Sequence, residues 1–443
     1  RYSGSHEIGE NLQFEVRAPG YVTGGTTIVV DAATPERHAI RLERERRTIT
    51  VTAQPSDAAI LLDGRRVAAG RHETSAPVDQ TLTFRVERDG YAPADLTVDL
   101  ARSTETSFTV VLEPRPIERR ITASNAPLVR AVAVDGDGFL VADRNGAVTA
   151  VSSAGAVRWN TSTGNTPNEN SPPVVAFGRV YLSGASEFVV MDLSTGSVVT
   201  RDALGADSAH IFGRRVVAAA GGLYYPTNRG IDVLDQSGAR TESIPITGGS
   251  SMTPAISGNR IVIANQSGVV FVLDAASNAV VAEIPTDAAQ PVALAPAVAD
   301  GVAYIAGRRG NIAAINIGAG SVVWQTDLDP DRSMGSYVDP VVGSGSVFFF
   351  ARDTIYALQQ SNGVRKFAPI AGVSGPPLAA DGSIVYGTTA GTLVVADAVT
   401  GRLKAEIELG ARVTTRPALW NGRYVVGLEN GELVIVNPVG VIR

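Results

Sequence analysis

Five short pairs hold the side chains best suited to bind an anion: Arg144-Asn145, Asn228-Arg229, Asn265-Gln266, Arg308-Arg309 and Arg352-Asp353. A guanidinium offers a planar fork of N–H donors that matches a carboxylate. Catalytic groups are scarcer. The four histidines are His6, His38, His72 and His210. Three lie in the first 116 residues, so a His-centred acid–base pair or a multi-His metal site has almost no material in the rest of the chain. Asp327-Leu-Asp329-Pro-Asp331 has the odd-position acids of a calcium loop, but Arg332 stands where glycine is needed and Val338 where glutamate is needed. A solvated acidic loop is the better reading. Gly221-Gly222 and Gly248-Gly249 lead into strand-like or polar stretches rather than a helix, so they are turn glycines and not a phosphate cradle.

Composition narrows the function classes further. There are no cysteines, which removes disulfides, thiolate catalysis and Cys-ligated zinc. Formal net charge is −6, so nonspecific nucleic-acid binding is disfavoured. Lys366 and Lys404 are the only lysines; the abundance of Arg reads first as a coding bias. Hydrophobic residues are 44% and charged residues 19%, a globular balance, and no apolar run is long enough for a membrane helix. The sequence opens Arg1-Tyr2-Ser3-Gly4 without an initiator Met or an apolar signal core, and is expected to begin downstream of any targeting or anchoring segment. The expectation is a non-enzymatic protein without cofactor or metal.

The arginine pairs recur because the elements that carry them recur. From residue 129 onward a Gly starts an apolar strand, a polar turn follows, a second Gly starts another strand, and that strand ends near Asp or Asn. Clear copies are Gly301 to Asn316 and Gly382 to Asp397, and eight copies can be traced. Gly146 and Gly431 mark the same point in the first and last, which gives a period of about 41 residues, one four-stranded propeller blade. Helical periodicity is not sustained. An inner strand carries Pro or Ala, as in Ala295-Pro296-Ala297-Val298, and the outer strand follows the Asp or Asn turn. The chain stops at Val441-Ile442-Arg443, too early for a last outer strand. Residues 117–123 have outer-strand character and are expected to supply it and close the ring, protecting two strand edges. The five polar pairs then sit on turns between second and third strands, around one mouth. Longer connections, 161–172 and 327–339, share that face.

The repeats lack WD40 and kelch marks and resemble pyrroloquinoline-quinone-like (PQQ-like) repeats. Asp192-Leu-Ser-Thr-Gly196, Asp397-Ala-Val-Thr-Gly401, Gly320-Ser-Val-Val-Trp324 and Ala154-Gly155-Ala-Val-Arg-Trp159 carry the likeness. The resemblance implies one of two functions. Quinoprotein dehydrogenases of this fold bind the quinone with calcium, stack a Trp on it, and often add adjacent cysteines. This chain has no Cys and three tryptophans, Trp159, Trp324 and Trp420. The first two hold the position at which the family docks one blade on the next. The other class, non-enzymatic, includes the propeller lipoprotein of the outer-membrane barrel-assembly machine and the sensor ectodomains of some receptor kinases.

The first 116 residues repeat as well. Leu12 to Tyr21 matches Leu82 to Tyr91, and the second copy has a front half, Thr48 to Ala58 and Ile60 to Gly64. The Pro55-x-x-Ala58 turn, the Asp63-Gly64 hairpin and the Gly-Tyr pairs Gly20-Tyr21 and Gly90-Tyr91 resemble a PEGA domain, a small β-sandwich of bacterial surface proteins. Asp63-Gly64 suits a type I′ turn, Tyr21 and Tyr91 are expected to cap the core, and Glu113-Pro-Arg-Pro116 is a stiff linker.

These readings give an all-β chain, an eight-bladed β-propeller preceded by small PEGA-like antiparallel β-sandwich repeats. The expected division is a partial repeat at 1–47, a PEGA-like sandwich at 48–116 and the propeller at 117–443. The expected function is a protein-binding scaffold of the bacterial envelope, outside the cytoplasm. Its expected partner is another protein, with an acidic peptide or an envelope component as the candidates, at Arg144, Asn145, Asn228, Arg229, Arg308, Arg309 and Arg352. The alternatives are the ligand-sensing part of a membrane-anchored receptor and, least favoured, a quinone- and calcium-dependent oxidoreductase.

Overall fold

A computed structural model describes residues 2–34, 37–130, 133–136, 138–164, 172–183, 187–201, 215–219, 222–250, 252–288, 295–307, 310–328 and 338–440. The chain divides into two compact units, 1–115 and 116–443.

In the first unit, a three-stranded sheet (Arg71–Pro77, Arg46–Gln54, Ser107–Val111) faces a four-stranded one (Arg65–Ala69, Ala59–Leu62, Thr81–Glu87, Ala94–Asp99). Alternate residues of both, among them Ile49, Val51, Ile60, Phe84 and Val86, are fully buried in one core. That alternation is what a sheet with one wet face requires. Asp63 (φ 50°) and Gly64 (φ 80°) make the expected I′ hairpin. One pairing departs from the antiparallel expectation: Arg46–Gln54 and Ser107–Val111 run parallel. Ser107–Val111 returns from the opposite sheet by crossing over instead of turning back as a hairpin, which makes parallel pairing available. Tyr91 packs on the core with Arg88 5.0 Å above its ring, whereas Tyr21 is exposed.

The internal repeat extends to individual hydrogen bonds. Tyr21 N donates to Ala18 O (3.1 Å) as Tyr91 N does to Arg88 O (3.2 Å). Val22 N donates to Glu43 O and Ala92 N to Glu113 O; Glu45 N donates to Gly20 O and Arg115 N to Gly90 O. The first copy is thinner, because the strands Asn11–Val16 and Gly24–Val29 form a sheet of two. Leu12, Phe14 and Val16 therefore stay half-buried, where Leu82, Phe84 and Val86 are buried.

In the second unit the described residues form eight separate sheets. Seven are consecutive in sequence, lying within 133–162, 174–201, 217–245, 255–285, 297–327, 341–359 and 378–408. The eighth joins Ala418–Trp420, Arg423–Gly427 and Glu432–Val436 to Ile117–Thr122, which pairs antiparallel with Glu432–Val436. Second and third strands, such as Arg260–Ala264 and Val269–Asp274, are buried almost throughout, so their sequences are apolar on both faces. The apolar layers join neighbouring sheets in turn. Trp159 and Val180 link the first to the second, and Tyr386 with Phe348 links the sixth to the seventh. Ile121 and Leu433 of the eighth pack with Phe139 of the first.

Six sheets carry a bulge at the same point, where the fourth strand leaves the third, as at Val272/Leu273 and Val395/Ala396. The sixth sheet has only three regular strands. Its outer segment touches the third strand through isolated bridges, Leu358 to Arg365 and Ile355 to Ile370. Pro369 lies in that segment and has no N–H to give the ladder.

Candidate functional site

Two ends of the sheets carry different chemistry. At one end are the Asp-x-x-x-Gly turns between third and fourth strands. Asp192 accepts the backbone N–H and hydroxyl of both Ser194 and Thr195. These bonds, the Ser194 hydroxyl foremost, hold its carboxyl at about 2. Asp397 sits at about 2 for the same reason, led by the Thr400 backbone N–H. Gly196 closes the turn at φ 71°, and a Cβ there would lie 2.4 Å from the Trp159 ring. Trp159 Nε1 donates to Leu193 O at 3.0 Å. Trp324 repeats the arrangement on Gly363, donating to Gln360 O at 2.8 Å. Phe367 lies on Gly401, and Ile121 with Arg119 lies on Gly155. In these four sheets an outer side chain thus seats on the next sheet's turn, and for Trp159 and Trp324 this is the docking position the resemblance implied. Trp420 differs: it belongs to the first strand of the eighth sheet and packs edge-on to Phe139 at 5.3 Å.

The opposite end carries the turns between second and third strands. Arg144 and Asn145 are exposed there, held by Asp143, whose carboxylate accepts from the Asn145 and Ala147 N–H groups. Arg352 is exposed at the first position of a two-residue turn (φ 58°). Asn228 and Arg229 are exposed and make further polar contacts. Arg229 also lines a cavity of about 260 Å³ with Arg240, Ser243 and the buried Asp232; Ser243 donates to Asp232 at 2.5 Å, and Arg240 lies 3.7 Å from it. Arg308 and Arg309 lie outside the described residues. Asn265 is structural: it is buried, accepts from Ser267 and Val269, and donates to Thr247 O. The exposed arginines Arg144, Arg229 and Arg352 lie on separate turns at one end of these sheets. His210, Asp329 and Asp331 also lie outside the described residues, among which no group of three His, Asp or Glu could hold a metal.

Sequence reasoning missed a second set at this same end. Six of the eight first strands are preceded by proline: Pro173, Pro254, Pro296, Pro340, Pro377 and Pro417. The residue before that position is Thr253 or Ala295 in two sheets, but Asp339 in the sixth and Arg416 in the eighth. Arg215 holds the place in the third. These three converge. Arg215 Nη2 donates to Asp339 Oδ2 at 2.6 Å, and Arg416 Nη2 donates to Asp339 O at 3.0 Å. Asp339 is 9% exposed. Its Oδ1 and the Nε of Arg416 are buried without a hydrogen-bond partner. Burial draws Arg416 below the usual arginine range, opposed by Asp339 and reinforced by Arg215. Arg130, just before the first sheet, is buried with only Nη2 engaged, on Ser183 O at 3.2 Å; burial lowers it to about 10.

All-β sheets of one repeated design, packed face to face around a set of first strands, define a PQQ-like repeat β-propeller protein with a sandwich domain before it. A PEGA domain model matches residues 46–116. The chain belongs to the family whose model is described as outer membrane protein assembly factor BamB, which matches residues 118–239 and 230–373, together more than half of it. It is 27% identical over 143 residues to the outer membrane protein assembly factor BamB of Moranella endobia (31% of this chain, 35% of that protein). It is 30% identical over 153 residues to that of Shigella dysenteriae (32% and 39%). The chain thus aligns with well under half the length of these relatives. Among solved structures it resembles BamB from Moraxella catarrhalis, with TM-score 0.57, 17% identity, and coverage of 72% of this chain and 97% of that one. It also resembles the computationally designed Ika8 protein, with TM-score 0.58, 15% identity, and coverage of 73% and 99%. At these identities the structural likeness speaks for the fold.

Proposed function

We propose that this protein is a non-enzymatic scaffold of the bacterial envelope, lying outside the cytoplasm, whose propeller docks another protein in outer-membrane assembly. The family membership carries the reading. The proposed docking residues are Arg144, Asn145, Asn228, Arg229 and Arg352 at that end, together with Arg308 and Arg309, and the partner presents an acidic segment to them. Exposed forks on separate turns suit several spaced carboxylates better than one small ligand. The propeller, 117–443, is read as a closed ring of eight blades, with Ile117–Thr122 as the last outer strand. The Ile121 contact with Gly155, which repeats the Trp159 contact with Gly196, supports that closure. Residues 1–47 and 48–116 are a partial and a complete PEGA-like spacer.

The test is co-purification from bacterial envelopes with Arg144, Arg229, Arg308, Arg309 and Arg352 all changed to Ala. The variant is expected to fold normally and to lose capture of outer-membrane assembly proteins, most visibly at low salt. Undiminished capture would refute this face as the docking surface.

A further inference from the structure

We propose that Arg215 and Arg416 form a carboxylate-binding site where the first strands converge, and that Asp339 occupies it as an internal stand-in until an acidic group of a partner replaces it. This site takes the acidic segment of the docking partner proposed above, and so rests on that reading. The three residues come from the third, sixth and eighth sheets, which are not neighbours, and they meet at the end that carries the exposed arginine turns.

The fit among them is incomplete. Asp339 uses one carboxylate oxygen on Arg215 and only its backbone carbonyl on Arg416. Oδ1 of Asp339 and Nε of Arg416 are each buried without a partner. A buried donor and a buried acceptor left without partners each cost more than they would in water. Among the described residues the two guanidiniums meet a single carboxylate, which only Arg215 engages, so this group of three carries a formal charge of +1. An incoming carboxylate can engage Nε and Nη2 of Arg416 together, the forked geometry that Asp339 does not reach. Displaced, Asp339 returns to water at the mouth with both oxygens solvated. The ligand class is the carboxylate of an extended peptide, from a Glu or Asp side chain or from a chain terminus.

Thermal shift and calorimetry on the full chain test this with three acetylated peptides. One is a Gly-Glu repeat with an amidated end, one a Gly-Ser repeat with a free carboxylate, and one a Gly-Ser repeat amidated. Binding of the first or second and not the third is expected, and which of the two binds identifies the source of the carboxylate. Asp339→Asn removes the internal competitor and is expected to bind roughly tenfold tighter, the effect of freeing about one charge-assisted hydrogen bond. Arg416→Gln and Arg416→Lys are expected to lose binding, the lysine because it keeps the charge without the fork. A merely structural ion pair would leave Asp339→Asn no tighter than the parent. That result overturns the site, as does unchanged binding in both Arg416 variants or no binding of any peptide. Partner capture from envelopes with the same variants separates the two readings. If capture persists while peptide binding never depends on Arg416, the docking face stands and the carboxylate site falls. If capture is absent from the parent chain as well, the docking reading falls.

Discussion

At the scale of single residues, the tryptophans and the turn acids are accounted for by packing. Trp159 and Trp324 each seat an indole on a glycine of the next sheet and donate to a backbone carbonyl there. Trp159→Ala or Trp324→Ala is expected to cost about 3–5 kcal/mol in chemical denaturation, as for other large core truncations. Partner capture should survive at temperatures where the variant is folded. Gly196→Ala should also destabilise, because it strains the left-handed φ and drives a methyl into the indole. Asp192 and Asp397 give the acid limb. Their folded pKa is depressed, so their stabilising effect is complete above about pH 4, the ordinary carboxyl range. It is lost as pH falls through about 2. Asp192→Asn and Asp397→Asn should therefore lower Tm near neutral pH, and the gap from the parent should close in acid. A gap that is constant with pH would contradict the assignment.

At the scale of elements, the strand Ile117–Thr122 carries the most consequence. It is the outer strand of the eighth sheet and also covers Gly155 of the first. Ile121 is 5% exposed, in a cluster with Phe139, Val425 and Leu433. Ile121→Asp is expected to expose the edge of Glu432–Val436 and to speed hydrogen exchange in the first and eighth sheets together. Faster exchange confined to residues 117–122 would argue against a closed ring. Much of this was legible in the sequence, because the signals are local. The Asp-x-x-x-Gly turns, the Gly-initiated apolar strands and the aromatic on the outer strand each act within one repeat or on the next. The irregular outer segment of the sixth sheet was legible only in hindsight, through Pro369. The meeting of Arg215, Asp339 and Arg416 was not, because it spans sheets far apart in sequence and depends on how the sheets close. Its one visible trace is a charge at a position where other repeats place Thr, Ala or Pro before a proline, and the third sheet lacks even that proline.

At the scale of the whole molecule, the fold is one that binding proteins and quinone enzymes share, so the site must decide between them. Trp159 and Trp324 are committed between sheets, and Trp420 packs on Phe139. Adding pyrroloquinoline quinone with calcium is therefore expected to leave Tm unchanged, and a rise of several degrees would favour the enzyme. The two ends of the propeller differ chemically: one is sealed by acids tied into their own turns, the other shows arginines on exposed turns. The most direct measurement is photo-crosslinking in intact envelopes from probes at Arg144 and Arg352, compared with probes at Thr195 and Thr400 on the opposite end. Crosslinks to an outer-membrane assembly protein from the first pair alone are the predicted result. Crosslinks from Thr195 and Thr400 alone, or from neither pair, would contradict it.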